Sequence, residues 1–283
     1  MSDTTSSKRY GVIGHPIEHS RSPQIHTQFA SQFDLDLSYE RILAPLDGFA
    51  ATVQDFFKEG SGLNVTLPFK EQAYDLVGSR LSRRARMAGA VNTLWMEDGQ
   101  LHGCNTDGVG LCSDLLRVGH NPEGKRILLI GAGGASRGVV FPLLEAGCEL
   151  LHIINRTSAK AHEIREQVVA LDPDASRRLS AGALDDHCGD WDIVINATSA
   201  SLNQNLPELP DARYRSNSLA YDMFYANEPT AFMRAAEQAG ATHSKDGLGM
   251  LVGQAAASFE IWHGVQPDVE PVLATLRQAI GQV

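Results

Sequence analysis

The stretch Leu128–Ser136, LLIGAGGAS, constrains the fold of this chain more than any other segment. An apolar run reads as a buried strand and leads straight into glycines. The residues that follow read as a helix, and LLHIIN at 150–155 reads as the next strand. Strand, glycine turn, helix and strand make a parallel βαβ unit. In that setting Gly131, Gly133 and Ser136 fit the dinucleotide pattern G-x-G-x-x-small. Gly131 allows the tight turn, Gly133 lets a pyrophosphate approach the backbone, and the helix N-terminus favours its negative charge. Gly131, Ala132, Gly133, Gly134 and Ala135 are therefore the expected phosphate-side contacts, with a purely structural turn as the alternative.

The end of the second strand selects the dinucleotide. A reader of NAD places an acid there for the ribose hydroxyls. This chain has Asn155, Arg156 and Thr157, with Lys160 one turn on. Nothing in that triplet repels a 2′-phosphate, and the Arg156 fork can grip one. NADP is the expected cofactor; the bland alternative is a surface arginine.

The rest of the chain supports an α/β fold with two domains. Strand patterns fall at 10–14, 38–44, 62–69, 191–199 and 218–225, and helix patterns at 22–33, 46–60, from about Lys70, 108–119 and 228–240. Alternation on both sides of Glu97–Gln100 reads as a hairpin within 89–107. The apolar helix at 249–264 is expected to pack back on the first half. Residues 1–106 with 247–283 then form one domain and 107–246 a Rossmann-type domain, with a cleft between them.

At 283 residues, with 43% hydrophobic content, the chain can bury cores for two domains. Its net charge of −10 and lack of a basic stripe argue against nucleic acid, and RLSRRAR at 80–86 reads as a solvated helix face. The N-terminus lacks an apolar leader, residues 2–8 read as a flexible tail, and no apolar run suits a membrane span. Cys104, Cys112, Cys148 and Cys188 form no C-x-x-C pair and read as reduced, mostly buried thiols of a cytoplasmic protein.

A nicotinamide cofactor implies hydride transfer, which needs a group to give or take a proton. The sequence has no H-E-x-x-H spacing and no Y-x-x-x-K pair, and no metal site is expected. Lys70 follows a strand-like segment that also carries Asn64 and Thr66, and Asp107 lies in NTDG at the domain boundary. A lysine–carboxylate pair about 4 Å apart interacts by roughly 4 kcal/mol at an effective dielectric of 20. The residues alone leave a structural salt bridge and a catalytic pair equally open.

Taken together, GHPIEHSRSPQIH (14–26), NVTLPFK (64–70), GAVNTL (89–94), NTDG (105–108), GAGGASRG (131–138), NRT (155–157), NATS (196–199), YDMFY (221–225) and DGLGMLVGQAA (246–256) resemble, in order, the motifs of the shikimate dehydrogenase family. The resemblance implies NADPH-dependent, reversible reduction of 3-dehydroshikimate to shikimate, a step toward chorismate and the aromatic amino acids. Residue by residue, Lys70 matches the family's catalytic lysine and Asp107 its partner. Ser20 and Ser22 match hydroxyls that hold the substrate carboxylate. Asn64, Thr66, Asn92, Asp107 and Gln254 match groups on the ring hydroxyls. Tyr225 matches a tyrosine near substrate, and Met223 and Gly247 match the nicotinamide pocket. Such a site rejects analogues lacking a hydroxyl.

Bland roles exist for several of these. Ser20 and Ser22 could cap the helix at 22–33, Gln254 could be a satisfied core residue, Met223 could be core, and His19 and His26 read as structural. The chain departs from the family at His15, at Lys160 and in SASLNQ (199–204), which lacks a glycine after NATS. Rival readings are a quinate/shikimate dehydrogenase using NAD and a non-catalytic NADP-binding sensor. The expected partner is a small-molecule substrate, with no nucleic acid or membrane, and the chain a monomer or homodimer.

Overall fold

A computed structural model describes residues 7–186, 189–198 and 213–281. Cys188, the segment 199–204 and most of the expected tail lie outside the described residues. The chain divides into two compact units, Met1–Thr106 with Gln254–Val272, and Asp107–Gly253 with Leu273–Val283.

The first unit runs β1 (Lys8–Gly14), α1 (Ser22–Ser31), β2 (Leu37–Leu43), α2 (Phe49–Phe56), β3 (Gly60–Val65), α3 (Lys70–Val77), α4 (Arg83–Ala88), β4 (Thr93–Glu97) and β5 (Gln100–Cys104). Its sheet has the order β2-β1-β3-β4-β5. The first three strands are parallel; β4 and β5 form the antiparallel hairpin, with Glu97 opposite Gln100. Asp98 and Gly99 both take positive φ, 51° and 71°, as a two-residue turn matched to strand twist requires. Ile13, Leu63, Phe49 and Phe69 anchor the core beneath.

β3 stops at Val65, short of the strand expected to reach Phe69. Pro68 cannot donate to a ladder, and the Phe69 N–H turns back to the Thr66 carbonyl at 3.0 Å. Leu67 is 70% exposed, whereas Val65 is buried.

The second unit holds α5 (Asp107–Arg117), β6 (Arg126–Ile130), α6 (Gly134–Glu145), β7 (Leu150–Ile154), α7 (Ser158–Leu171), β8 (Leu179–Gly182), β9 (Asp190–Asn196), β10 (Arg213–Asp222), α8 (Ala231–Gln238) and β11 (His243–Asp246). All strands are parallel, in the order β11-β10-β9-β6-β7-β8. The chain progresses outward in both directions from β6. The order therefore reverses between β6 and β9, and ligands of such sheets bind at the carboxyl ends of those strands. Gly131 follows β6 there, just after Ile130, which pairs with Asn196 at the end of β9. The elements α7, β8 and β11 have no counterpart in the sequence reading. α7 buries only Ala161, Ile164 and Val168, and β11 is the polar edge tetrapeptide HSKD.

Two helices close the chain, α9 (Leu248–His263) and α10 (Val269–Ile280). Residues 247–283 are expected whole in the first unit; only Gln254–Val272 belongs there. Trp262 explains that part: a Cβ on Gly62 would sit 2.5 Å from its ring, so glycine lets the indole lie on β3. The start of α9 packs on α5, where a Cβ on Gly249 would fall 1.9 Å from Asp114 Oδ1. Residues 273–283 join the second unit through Arg277, which binds Asp246 and the Ala226 carbonyl. Among the described residues no helix is long and apolar enough to cross a membrane.

Candidate active site

Ser20 and Ser22 precede and open α1, but neither caps it. Arg21 is the capping residue, and its own side chain makes no capping hydrogen bond. Ser20 Oγ accepts from the Ser22 N–H at 3.3 Å and donates to Ser22 Oγ at 3.2 Å. Arg41 reaches in from β2, its Nε and Nη2 donating to the Ser20 carbonyl at 2.9 and 2.7 Å. The two hydroxyls are thus held side by side at the start of α1.

Beside them lies a buried polar network. Tyr39 donates to Asn64 Oδ1 at 2.7 Å, and the hydroxyl of Ser22 neighbours the same phenol. Burial pushes the Tyr39 phenol far above its usual range. The Asn64 amide donates to the Asn92 carbonyl at 3.1 Å, Thr93 Oγ1 at 3.2 Å and Ser258 Oγ at 3.0 Å. Asn92, only 2% exposed, accepts from the Thr106 N–H at 2.9 Å and donates to Thr106 Oγ1 at 3.0 Å and Gln254 Oε1 at 3.4 Å. Sequence strand, hairpin and returning helix thereby bring Asn64, Asn92 and Gln254 together. Gln254 is no isolated core residue; it belongs to this network. Thr66, half-buried, directly follows β3, its N–H donating to the Ile13 carbonyl of β1 at 2.9 Å.

Beneath the network, His26 stacks on Tyr39 with ring centroids 4.4 Å apart. Full burial depresses its pKa to about 3, with repulsion from His263 adding to the effect, and its Nε2 has no hydrogen-bond partner among the described residues. Burial likewise holds His263 down, to about 4. These are neutral packing imidazoles. The supporting groups Tyr39, Thr93, Thr106 and Ser258 escape the sequence reading. Thr93 and Thr106 adjoin residues it names, which was the available signal.

Lys70 is the first residue of α3, half-buried, its carbonyl accepting from the Val91 N–H at 2.9 Å. Asp107 opens α5 and is 7% exposed. Lys70 lies in the first unit, Asp107 and Tyr225 in the second.

In the second unit, Gly131 has φ 111°, a conformation reserved in practice for glycine, and a Cβ there would press on Thr198 and Ala197. Ser136 anchors the turn by donating to the Gly131 carbonyl at 2.8 Å. A Cβ built on Gly133 or Gly134 would meet nothing within 4 Å. The backbone there faces open space at the start of a twelve-residue helix, as a pyrophosphate requires. Ala132 and Ala135 flank these glycines. Beyond β7, Asn155 Nδ2 bonds the Thr157 carbonyl at 2.9 Å, closing the turn that carries Arg156. Arg156, Thr157 and Lys160 are exposed. The Arg156 guanidinium is in no ion pair with any described residue. This donor set fits an NADP phosphate.

Met223 and Gly247 come together: a Cβ on Gly247 would lie 2.2 Å from the Met223 carbonyl oxygen, and the Gly247 N–H bonds the Phe224 carbonyl at 3.0 Å. Below them, Asn196 donates to Asp222 Oδ1 at 3.0 Å, and Thr230 donates to Asp222 Oδ2 at 2.6 Å while capping α8. Among the described residues no group of three or more His, Cys, Asp or Glu could hold a metal ion.

Comparison with known proteins gives three family-model matches. They are a shikimate dehydrogenase substrate binding domain over residues 12–94, a shikimate / quinate 5-dehydrogenase over 116–208, and a shikimate 5'-dehydrogenase C-terminal domain over 247–277. The shikimate dehydrogenase (NADP(+)) of Bordetella petrii is 58% identical over 283 residues, 99% of each chain. That of Bordetella avium is 56% identical, covering 98% of each. Among solved structures, the shikimate 5-dehydrogenase of Thermus thermophilus in complex with NADP(H) and shikimate matches with TM-score 0.84 and 32% identity, over 96% of this chain and 99% of that one.

Proposed function

The chain belongs to the shikimate dehydrogenase family of NADP-dependent oxidoreductases, and from that premise we propose how its own residues carry the reversible reduction of 3-dehydroshikimate to shikimate. Ser20 and Ser22 bind the substrate carboxylate. Asn64, Thr66, Asn92, Asp107 and Gln254 bind the ring hydroxyls, and Tyr225 flanks the ring. One observation carries this reading above the others: Tyr39 links the serine pair to the amide network through Ser22 and Asn64. Carboxylate-binding and hydroxyl-binding groups are thus parts of one bonded array, as a polyhydroxylated ring acid requires.

Lys70 delivers a proton to the forming alkoxide during reduction and receives it during oxidation. Asp107 is its partner carboxylate. NADP, when bound, supplies or accepts the hydride. Gly131, Ala132, Gly133, Gly134 and Ala135 hold its pyrophosphate on the α6 N-terminus, Asn155, Arg156, Thr157 and Lys160 its 2′-phosphate, and Met223 and Gly247 its nicotinamide. The acidic chain acts in the cytoplasm on a small molecule, as a monomer or homodimer.

Initial rates with shikimate and quinate, each with NADP and NAD, test the reading in wild type and Lys70→Ala. Turnover confined to shikimate with NADP, lost by about three orders of magnitude or more in the variant with ligand binding unchanged, is the expected result. Comparable turnover of quinate with NAD moves the chain to the quinate-type reading. Tight NADP binding without turnover makes it a cofactor sensor.

A further inference from the structure

We infer that Arg277, near the end of α10, is a positioning residue for the nicotinamide-side loops. The inference rests on the reading of Met223 and Gly247 given above. Its Nη1 donates to Asp246 Oδ2 at 2.7 Å and its Nη2 to Asp246 Oδ1 at 2.5 Å. The same Nη1 also donates to the Ala226 carbonyl at 3.3 Å. These contacts reach two different segments. Ala226 lies in the loop after β10, next to Tyr225 and three residues beyond Met223, and Asp246 ends β11 immediately before Gly247.

The two segments already abut. Gly247 bonds the Phe224 carbonyl and leaves no room for a side chain against Met223. Such close backbone packing has little tolerance, and a planar bidentate fork fixes its carboxylate in one orientation. Asp246 also accepts from the Leu248 N–H at 3.4 Å, so the carboxylate ties the clamp to the start of α9. With the Arg277 side chain 46% exposed, the ion pair by itself adds little to stability. Its effect is on geometry: Arg277 holds the β10 and β11 loops at one separation, and with them the Met223–Gly247 surface. A C-terminal residue thereby sets the affinity of a site read from the middle of the chain.

Isothermal titration of the full chain with NADP and, separately, with shikimate tests this, alongside KM, kcat and thermal unfolding. Arg277→Gln is expected to weaken the NADP dissociation constant about tenfold, with the shikimate constant unchanged and unfolding little shifted. Arg277→Lys restores part of the loss, because it returns the charge without the fork. Asp246→Asn gives a similar loss, and the Arg277→Gln/Asp246→Asn double variant is no worse than either alone. An unchanged NADP constant in Arg277→Gln, or equal losses for both ligands, overturns the clamp. Met223→Ala separates the two levels. If it leaves NADP binding unchanged, the nicotinamide reading itself fails; if it weakens binding while Arg277→Gln does not, the clamp alone fails.

Discussion

Tyr39 donates a 2.7 Å hydrogen bond to Asn64 Oδ1 while the Asn92 carbonyl takes the other end of the same amide at 3.1 Å. A carbonyl can only accept, so the amide nitrogen must face Asn92 and its oxygen must face Tyr39. The sense of Asn64 is set by these two partners, and the side chain cannot flip to suit a different ring substituent. Tyr39→Phe removes one of them and leaves the rest of the ring in place. The shikimate KM is expected to rise about tenfold, the loss of one buried hydrogen bond, with kcat and the NADP KM little changed. A parallel drop in kcat would show that the phenol serves the chemistry and not the fit.

Arg156 stands exposed on the turn that Asn155 closes. On the proposed reading, its replacement by Ala removes a bidentate donor from the 2′-phosphate and nothing from a ribose lacking one. The NADP KM should rise by about one to two orders of magnitude and the NAD KM should stay level. Steady-state kinetics with both cofactors decide it; equal shifts would remove Arg156 from phosphate recognition.

Acid should unfold this chain from the aromatic cluster around Tyr39. His26 titrates near 3 in the fold against about 6.5 for a free imidazole, so the unfolded chain binds a proton that the folded chain refuses. Its contribution is complete above about pH 6.5 and falls by about 1.4 kcal/mol per pH unit as the pH drops toward the folded value. His263, near 4 but only half-buried, acts in the same direction and more weakly because water screens it. Urea midpoints measured between pH 7.5 and 4.5 should decline steeply, and His26→Phe should flatten the decline. A wild-type midpoint independent of pH would refute the neutral-imidazole account.

Asp222, wholly buried, accepts from Asn196, Thr230 and the Phe224 N–H. Asp222→Ala strands an amide and a hydroxyl in the interior and should cost about 3 kcal/mol of stability. Chemical denaturation measures this directly. Asp222→Asn keeps the shape but sets an amide nitrogen against a donor, so it should recover only part of the loss.

Features governed by neighbours in sequence were legible, and those assembled from afar were not. The Gly131 turn and the Asp98–Gly99 hairpin are local: positive φ and small residues announce them. Arg156 was readable because a strand end fixes its place. By contrast, Ser258 reaches Asn64 from 194 positions away, and nothing in its helix distinguishes it from a packing serine. Tyr39 sits on an alternating strand like any half-buried aromatic. Ser22 misled in the opposite way. A serine before proline suggests a cap, yet the helix starts on it and Arg21 takes the capping position. The return of the chain was anticipated, but its division was not. Close glycine contacts at Gly249 and a single arginine near the C-terminus decide it.

Trp262 lies on Gly62, and Tyr10 meets both Trp262 and His263 with ring centroids 5.1 and 5.0 Å apart. These partners stand far apart along the chain. A ribosome making this chain releases β1 to β5 long before it reaches α9, and the whole sheet of the second unit emerges in between. Throughout that interval one face of the first sheet waits without its indole cover, exposed to the sticking that partly folded intermediates suffer. Nascent chains arrested before residue 254 should be cut by protease within the first unit, and chains released after residue 272 should resist.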